Sequence, residues 1–176
     1  MICDSVEDFA AALPAQSALI GLDPGSKTIG VALSDSLRGV ASAHVTIRRR
    51  RFAQDAARLL EIAASRVAGG VVIGLPRNMD GSEGPRCQSA RAFARNLAAL
   101  SDLPMVFWDE RLSTVAAERA LLDADTTRKR RAEVIDSVAA AYILQGLLDR
   151  LQHLAVQQAA QDSARATGGT DTEAGG

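Results

Sequence analysis

Three acidic residues occupy sequence positions that are unusual for surface charges. Asp23 ends a short apolar run and precedes a Pro-Gly turn, and Glu110 follows a second apolar run and Asp109. Asp136 falls inside a predicted helix, where residues three or four positions apart share one face. That face also carries Ala139, Ala140, Ile143 and Leu147. An apolar helix face packs against a core, so Asp136 should point toward the strand ends and not into bulk water.

Carboxylates that converge from separate elements are suited to holding divalent cations. Hydrolysis of a phosphodiester at neutral pH needs a nucleophilic water and neutralisation of the phosphate charge, which two Mg²⁺ or Mn²⁺ ions ~4 Å apart supply. These hard cations prefer carboxylate oxygens, and the acids would repel one another without them. The residues therefore predict a metal-dependent nuclease, a hydrolase of ester bonds, in which Asp23, Glu110 and Asp136 are both catalytic residues and metal ligands.

Each acid also has an ordinary structural interpretation. An aspartate before Pro-Gly, such as Asp23, often stabilises its turn. Glu110 could pair with Arg111 or Arg119 on the surface, and Asp136 could be a first-turn acid that interacts with the helix dipole. Together, at the ends of neighbouring strands and on an inward helix face, the three acids favour a functional site.

The composition is that of one globular domain. The chain has 176 residues, of which 47% are hydrophobic and 23% charged. No apolar run approaches the ~20 residues that a membrane helix needs, and the acidic N-terminus lacks the basic segment of a secretory signal. Cys3 and Cys87 form neither a disulfide framework nor a zinc motif. We therefore expect a cytoplasmic protein without a membrane partner.

Basic residues are concentrated in the middle of the chain. The net charge is −1, but residues 1–16 contain three acids, and residues 153–176 contain three acids and one arginine; 19 of the 20 Lys and Arg and 15 of the 21 Asp and Glu lie between them. Basic runs such as Arg48–Arg51 are usually solvated surface. The second run immediately precedes the Asp136 helix and is suited to binding a nucleic-acid backbone. It consists of Arg128, Lys129, Arg130 and Arg131.

The predicted elements form an α/β domain. Apolar and alternating runs predict strands at 17–23, 29–35, 40–47, 71–75 and 104–108. Helical spacing and end signals predict helices at 51–68, stopped by Gly69-Gly70, and at 85–100, 113–124 and 132–151. Three strands with short connections and then alternating helices and strands indicate one mixed sheet with helices on both faces. We divide the chain into an N-terminal extension (1–16), the domain (17–152) and a disordered tail (153–176).

Four segments of the domain form a recognisable set. They are IGLDPGSKTIGVALSD at 20–35, VVIGLPRNMDGSEGP at 71–85, DERLSTVAAERALL at 109–122 and RRAEVIDSVAAAYILQGLLD at 130–149. Together they resemble the YqgF family of proposed pre-16S rRNA nucleases, which is related to the RuvC-type Holliday junction resolvases. The resemblance implies a ribonuclease H-like fold, with a five-stranded sheet in the order 3-2-1-4-5 whose first three strands are antiparallel. It also implies trimming of the 5′ end of pre-16S rRNA in ribosome biogenesis, with RNA and the pre-ribosomal particle as partners.

The resemblance also implies site residues. The family's acids fall on Asp23, Glu110 and Asp136 of this sequence. RuvC-type resolvases have their second acid on the fourth strand, where this chain has Gly74-Leu75-Pro76, so the resemblance moves that role to Glu110. The predicted substrate contacts are the basic run 128–131 and five further residues: Lys27, Asn78, Asp80, Gly81 and Arg111.

Three other functions are compatible with the sequence. The substrate could be branched DNA, as for a Holliday junction resolvase-like DNA endonuclease, or the domain could bind nucleic acid without catalysis. The first motif also resembles a phosphate-binding turn of actin-like and sugar-kinase-like ATPases, but those proteins clasp the nucleotide between two such domains. The helices' apolar stripes are accounted for by the sheet, so we expect a monomer or a weak dimer. A metal titration separates these functions, because a nuclease needs Mg²⁺ or Mn²⁺, an ATPase needs ATP, and a binding module needs neither.

Overall fold

A five-stranded mixed sheet forms the centre of the protein. The computed structural model describes residues 1–112 and 128–167. The strands are β1 (Ala18–Pro24), β2 (Thr28–Ser34), β3 (Ala41–Arg48), β4 (Ala68–Leu75) and β5 (Met105–Asp109). Their order is β3-β2-β1-β4-β5, with β1, β2 and β3 antiparallel to one another in turn and β4 and β5 parallel to β1. The predicted class, strand order and strand directions are confirmed.

Helices cover both faces of this sheet. They are α1 (Val6–Ala12), α2 (Phe52–Ser65), α3 (Pro85–Ala98) and α4 (Arg128–Thr167). One core lies under α2 and α3 and includes Ile20 and Leu22 of β1. The other lies under α1 and α4 and includes Leu19 of the same strand. Successive side chains of a strand point to opposite faces, so β1 is buried on both, which explains its continuous apolar sequence.

The N-terminal segment extends the sheet and completes the second core. The Cys3 N–H donates to the Met105 carbonyl at 2.7 Å, and the Met105 N–H donates to the Met1 carbonyl at 2.8 Å. This pairing covers the outer edge of β5, which would otherwise present unpaired backbone groups. Phe9 of α1 is fully buried in the core under α4. The domain boundary predicted at residue 17 therefore leaves out part of the core.

Two glycines of β4 make room for this segment. The sequence predicts that Gly69 and Gly70 stop a helix, but α2 already ends at Ser65 and both glycines lie in β4. A β-carbon on Gly69 would lie 2.0 Å from Ser17 Oγ, and one on Gly70 would lie 2.8 Å from the Phe9 ring. The prediction is wrong because a glycine pair that permits close packing on a strand looks like a helix stop in the sequence.

Helix α4 is longer at both ends than the sequence predicts. It begins at Arg128 and not at Ala132, so Asp136 lies beyond its first two turns. The helix dipole acts mainly within the first turn, which makes the dipole interpretation of Asp136 wrong. The helix also continues through residues 153–167, where a disordered tail is predicted. That segment is rich in alanine and glutamine, which favour a helix without any packing.

Two further predictions concern helices. The helix predicted at 113–124 lies outside the described residues. Among the helices that the structure describes, none combines the length and the apolar character needed to cross a membrane.

Candidate active site

Asp23 lies on the sheet face that α4 covers. A β-carbon on Gly21, two residues earlier in β1, would lie 2.7 Å from the Leu144 side chain of α4. Because side chains alternate along a strand, Asp23 points to the same face as Gly21. Its exposed fraction is only 9%. The Asp23 carboxylate is therefore held at the end of β1, on the α4 side of the sheet.

Asp136 approaches this position from α4. Gly30 pairs with Asp23 across β1 and β2, and a β-carbon on Gly30 would lie 1.8 Å from the Asp136 carbonyl oxygen. The α4 backbone thus passes directly over the strand residue next to Asp23. The Thr28 hydroxyl donates a hydrogen bond of 2.6 Å to Asp136 Oδ2. This bond directs the carboxylate toward the β1–β2 turn, which confirms that Asp136 faces the sheet.

Glu110 reaches the same face from β5. It begins a short 3-10 turn directly after that strand. Its Oε1 atom lies 2.9 Å from the position that a β-carbon on Gly74 would take. The register of β1 with β4, continued by one residue, places Gly74 beside Asp23. Glu110 therefore occupies the space that a side chain at Gly74, the penultimate residue of β4, would fill.

The three acids form a row across the sheet, over β2, β1 and β4. Neighbouring strands lie about 4.8 Å apart, so the strand positions beneath the first and the last acid of the row, on β2 and β4, are roughly 10 Å apart. Gly30 and Gly74 flank Asp23 and leave space for the other two residues to approach. Among residues 1–111 and 135–165, whose side chains the structure describes, no three Asp, Glu, His or Cys side chains lie close enough together to hold one metal ion. The acids share one face, and their joint binding of a metal stays a prediction.

The loop between β4 and α3, residues 76–84, is shaped by its own side chains. Asp80 Oδ1 accepts hydrogen bonds from the Ser82 N–H at 2.9 Å and from the Ser82 hydroxyl at 2.6 Å. Asn78 Nδ2 donates to Ser82 Oγ at 2.8 Å. Gly81 has a φ of +87°, in the left-handed region that favours glycine. Asn78, Asp80 and Gly81 thus determine the loop conformation, and their contact with substrate stays a prediction.

Ion pairs attach this loop to α3 and to the end of β5. Glu83 accepts hydrogen bonds from Arg91 at 2.6 and 2.8 Å and from Arg77 at 3.2 Å. The Arg77 guanidinium also lies 3.8 Å from Asp109 Oδ2. Both arginines therefore hold the loop against rigid elements next to the acid row.

Arg111 pairs with Asp109 and not with Glu110. Its Nη2 donates to Asp109 Oδ2 at 2.6 Å, and its backbone N–H donates to Asp109 Oδ1 at 3.0 Å. Asp109 thereby fixes the turn in which Glu110 lies. The interpretation that Glu110 pairs with Arg111 on the surface is therefore wrong. The alternative partner, Arg119, lies outside the described residues. Arg111 also donates to the Met79 carbonyl at 3.5 Å, so it connects this turn with the loop, while its contact with substrate stays a prediction.

We expect the loop ion pairs to stabilise the protein in a pH-dependent way. The hydrogen bonds and charges of Arg91 and then of Arg77 lower the pKa of Glu83 from 4.5 to about 2. A carboxyl with a lowered pKa stabilises the fold above its unfolded-state pKa, and this contribution is lost as the pH falls through the folded-state value. Glu83→Gln should therefore lower the melting temperature at pH 7, and the difference from wild type should shrink between about pH 4.5 and about pH 2. Melting curves at a series of pH values test this, and a difference that stays constant across that interval would contradict it.

A cleft of about 520 Å³ opens beside Asp136. The β1–β2 turn, including Lys27, lines one side, and the first turn of α3, including Arg86, lines the other. The predicted substrate contact Lys27 is thus exposed in a cleft that Asp136 shares. The backbone of the basic run 128–131 begins α4, and its side chains lie outside what the structure describes.

Several residues that shape this site were not predicted from the sequence. Thr28, Gly30 and Gly74 act through close contacts between elements that are far apart in the chain, and Arg77 and Arg91 act through ion pairs. Hydrophobic periodicity carries no information about such contacts. One signal was present, because an isolated glycine in a strand indicates a close approach of another backbone. Gly30 is of this kind, whereas Gly74 is approached by the side chains of Ile143 and Glu110.

Comparisons with known proteins agree on one family. Residues 17–150 match the family model described as "RuvX: Holliday junction resolvase". A protein of Ruegeria pomeroyi named "Putative pre-16S rRNA nuclease" is 70% identical over 154 residues, which cover 88% of this chain and 100% of the relative. A protein of the same name from Paracoccus denitrificans is 69% identical over 154 residues, covering 88% of this chain and 98% of the relative.

Solved structures of RuvC from Thermus thermophilus share the fold. The one in complex with a Holliday junction substrate aligns with a TM-score of 0.52 and 13% identity, covering 77% of this chain and 96% of that chain. A second aligns with a TM-score of 0.50 and 15% identity, covering 77% of this chain and 97% of that chain. At this identity the likeness concerns the fold alone, and it confirms the predicted ribonuclease H-like, RuvC-like architecture. The family match over most of the chain and the close relatives together show that this protein belongs to the RuvX family, also called YqgF.

Proposed function

We propose that this protein is a metal-dependent nuclease that hydrolyses phosphodiester bonds in a precursor of 16S rRNA. The row formed by Asp23, Glu110 and Asp136 on one face of the sheet carries the proposal. Like charges that converge disfavour one another, and burial of Asp23 adds a desolvation cost. Such an arrangement is typical of a functional site. The names of the Ruegeria and Paracoccus relatives support the same reaction and the same substrate.

The chemistry of these residues fits a hard divalent cation, Mg²⁺ or Mn²⁺. All three donors are carboxylates, which such cations prefer. Mg²⁺ retains water molecules and is usually held by only one or two protein carboxylates together with substrate phosphate oxygens, so a closed group of three ligands is not required. Asp23, Glu110 and Asp136 would hold one or two such ions between them. When bound, a divalent cation lowers the pKa of a water molecule and neutralises charge on the phosphate.

Neighbouring residues position this chemistry. Thr28 orients Asp136 through its 2.6 Å hydrogen bond, and Asp109 fixes the turn that carries Glu110. Lys27 supplies a positive charge in the cleft beside Asp136, where a substrate phosphate would lie. The finer assignment, trimming of the 5′ end of the rRNA within a pre-ribosomal particle, rests on the resemblance to the YqgF family.

A DNA endonuclease that cuts four-way junctions is the second candidate. The description of the matching family model and the fold shared with RuvC favour it. The same carboxylate chemistry would serve either substrate, so the fold cannot decide between them. A junction resolvase must place two sites symmetrically on its substrate, which requires a dimer.

A comparison of two substrates tests the proposal. A precursor 16S rRNA fragment with its 5′ extension and a mobile four-way DNA junction are incubated with the protein at equal salt and Mn²⁺ concentrations. We expect cleavage of the RNA that stops when EDTA is added, and an intact junction. Symmetric nicking of the junction with uncut RNA would overturn the RNA assignment. Absence of cleavage in both substrates, with Mg²⁺ and with Mn²⁺, would contradict the nuclease assignment itself.

A further inference from the structure

The cleft beside Asp136 joins the acid row to a basic surface of which only Lys27 was predicted from the sequence as a substrate contact. Its walls include Ser26 and Lys27 from the β1–β2 turn and Arg86 and Ser89 from α3. Apart from Asp136, no acidic side chain lines this cleft in the described part of the chain. A cation from each wall thus faces the same space, at one end of the acid row.

Lys27 and Arg86 differ from the other cations near the site. Within residues 1–112 and 128–167, neither forms an ion pair with a carboxylate. Arg77, Arg91 and Arg111, at the opposite end of the row, are all paired with Glu83 or Asp109. Both unpaired side chains are exposed. Their charges are therefore available to a ligand, whereas the paired arginines are largely neutralised.

The turn that carries Lys27 is held rigidly against α3. Arg49 Nη1 donates to the Gly25 carbonyl at 3.0 Å, and its guanidinium stacks over the Phe93 ring of α3 at 5.6 Å. The Arg49 N–H also donates to the Lys27 carbonyl at 2.9 Å. One arginine of the run 48–51 thus fixes the separation of the two cleft walls. A preformed cleft binds a ligand without first ordering its own backbone.

Arg48 extends the basic surface along the edge of the sheet. It pairs with Thr28 across β2 and β3, and cross-strand partners project from the same face. Because the Thr28 hydroxyl bonds Asp136, Arg48 lies on the Asp136 side of the sheet. It is exposed and also forms no ion pair among the described residues. The unpaired cations therefore continue from Arg86 through Lys27 to Arg48, past the end of the acid row.

We propose that this cleft binds the sugar-phosphate backbone of a single polynucleotide strand, with Lys27 and Arg86 holding a phosphate next to the one that is cut. The inference rests on the proposed nuclease function and names the path of its substrate strand. Cations and hydroxyls suit phosphate oxygens, and the described lining contains no aromatic side chain on which a base could stack. Binding in the cleft is therefore independent of base sequence.

Charge removal in the cleft tests this path. Single-stranded RNA binding is measured by fluorescence anisotropy over a range of salt concentrations, in an Asp23→Asn background that prevents cutting. Combined Lys27→Gln and Arg86→Gln substitutions should raise Kd about tenfold and reduce the slope of log K against log salt by about 0.7, because the two cations hold one phosphate and each neutralised single-strand phosphate contributes about 0.7. The matched control is Arg95→Gln, which removes an exposed arginine from the last turn of the same helix and should change neither quantity.

The outcomes distinguish an error in the proposed path of the strand from an error in the proposed substrate. Kd and slope equal to those of the Arg95→Gln protein would overturn the proposed path, even if the wild type cuts RNA. The same salt titration with single-stranded DNA tests whether the cleft binds a polynucleotide strand even if RNA is not the substrate. Weaker binding of DNA in the double variant, with RNA left uncut by the wild type, would support the cleft and contradict the rRNA assignment. Unchanged melting temperatures exclude misfolding as the cause of weaker binding.

Discussion

Replacement of Asp23, Glu110 or Asp136 by the corresponding amide is expected to lower the single-turnover rate of RNA cleavage by about a hundred- to a thousandfold. Each substitution removes a charged oxygen donor, and a metal contributes several kcal/mol to stabilisation of the transition state, where ~1.4 kcal/mol corresponds to a factor of ten. The three effects should not add, because the residues act as one unit. Cleavage of a precursor 16S rRNA fragment at saturating Mn²⁺ measures them.

The fold should survive these changes. Amides keep the shape of the side chains and relieve repulsion between converging charges, so melting temperatures should stay the same or rise. Glu61→Gln is the matched control, because Glu61 is an exposed residue of α2 on the opposite face of the sheet and pairs only with Arg58 in the described part of the chain. Any acid whose amide variant cuts at the wild-type rate does not belong to the site.

Gly30→Ala is expected to have the largest effect on stability. The new β-carbon would lie 1.8 Å from the Asp136 carbonyl oxygen and 2.4 Å from its carbonyl carbon. Both are backbone atoms of α4, so no side-chain rotation relieves the clash, and the helix must move away from β2. We expect destabilisation by about 3 kcal/mol or more, at the upper end for overpacking. For a protein of this size that is a fall in melting temperature of roughly 6–12 °C.

The same substitution should also abolish most of the activity. Movement of α4 away from β2 would carry the Asp136 carboxylate away from Thr28 and from the position beside Asp23. Gly39→Ala provides the control, because a β-carbon there would lie 3.8 Å from its nearest neighbour, Asp35 Oδ1, at an ordinary contact distance. Calorimetry and cleavage assays on both variants check the prediction. Wild-type stability and activity of Gly30→Ala would show that α4 does not pack on β2 in this way.

Local sequence patterns predicted the five strands and one mixed sheet, whereas the strand order came from the family resemblance. The runs that became β1, β4 and β5 are apolar without alternation, because the side chains of all three strands are buried on both faces of the sheet. Because burial depends on the polarity of each side chain, the sequence alone indicates which strands are buried. The inward position of Asp136 was also predictable, because helical spacing alone aligned it with buried residues such as Ile143.

Tertiary structure alone decided how the acids meet. An isolated strand glycine such as Gly30 or Gly74 signals a close approach. Nothing local to these glycines or to Thr28 indicates that the approaching groups belong to α4 and Glu110, because contacts between distant segments depend on the packing of the whole fold. Gly69 and Gly70 show the same limit, since the sequence could not reveal that Phe9 packs on them. The sequence by itself therefore indicated which residues are candidates for the chemistry and which elements hold them. Only the packed sheet and helices decided that Asp23 lies between two glycines, with one acid over each.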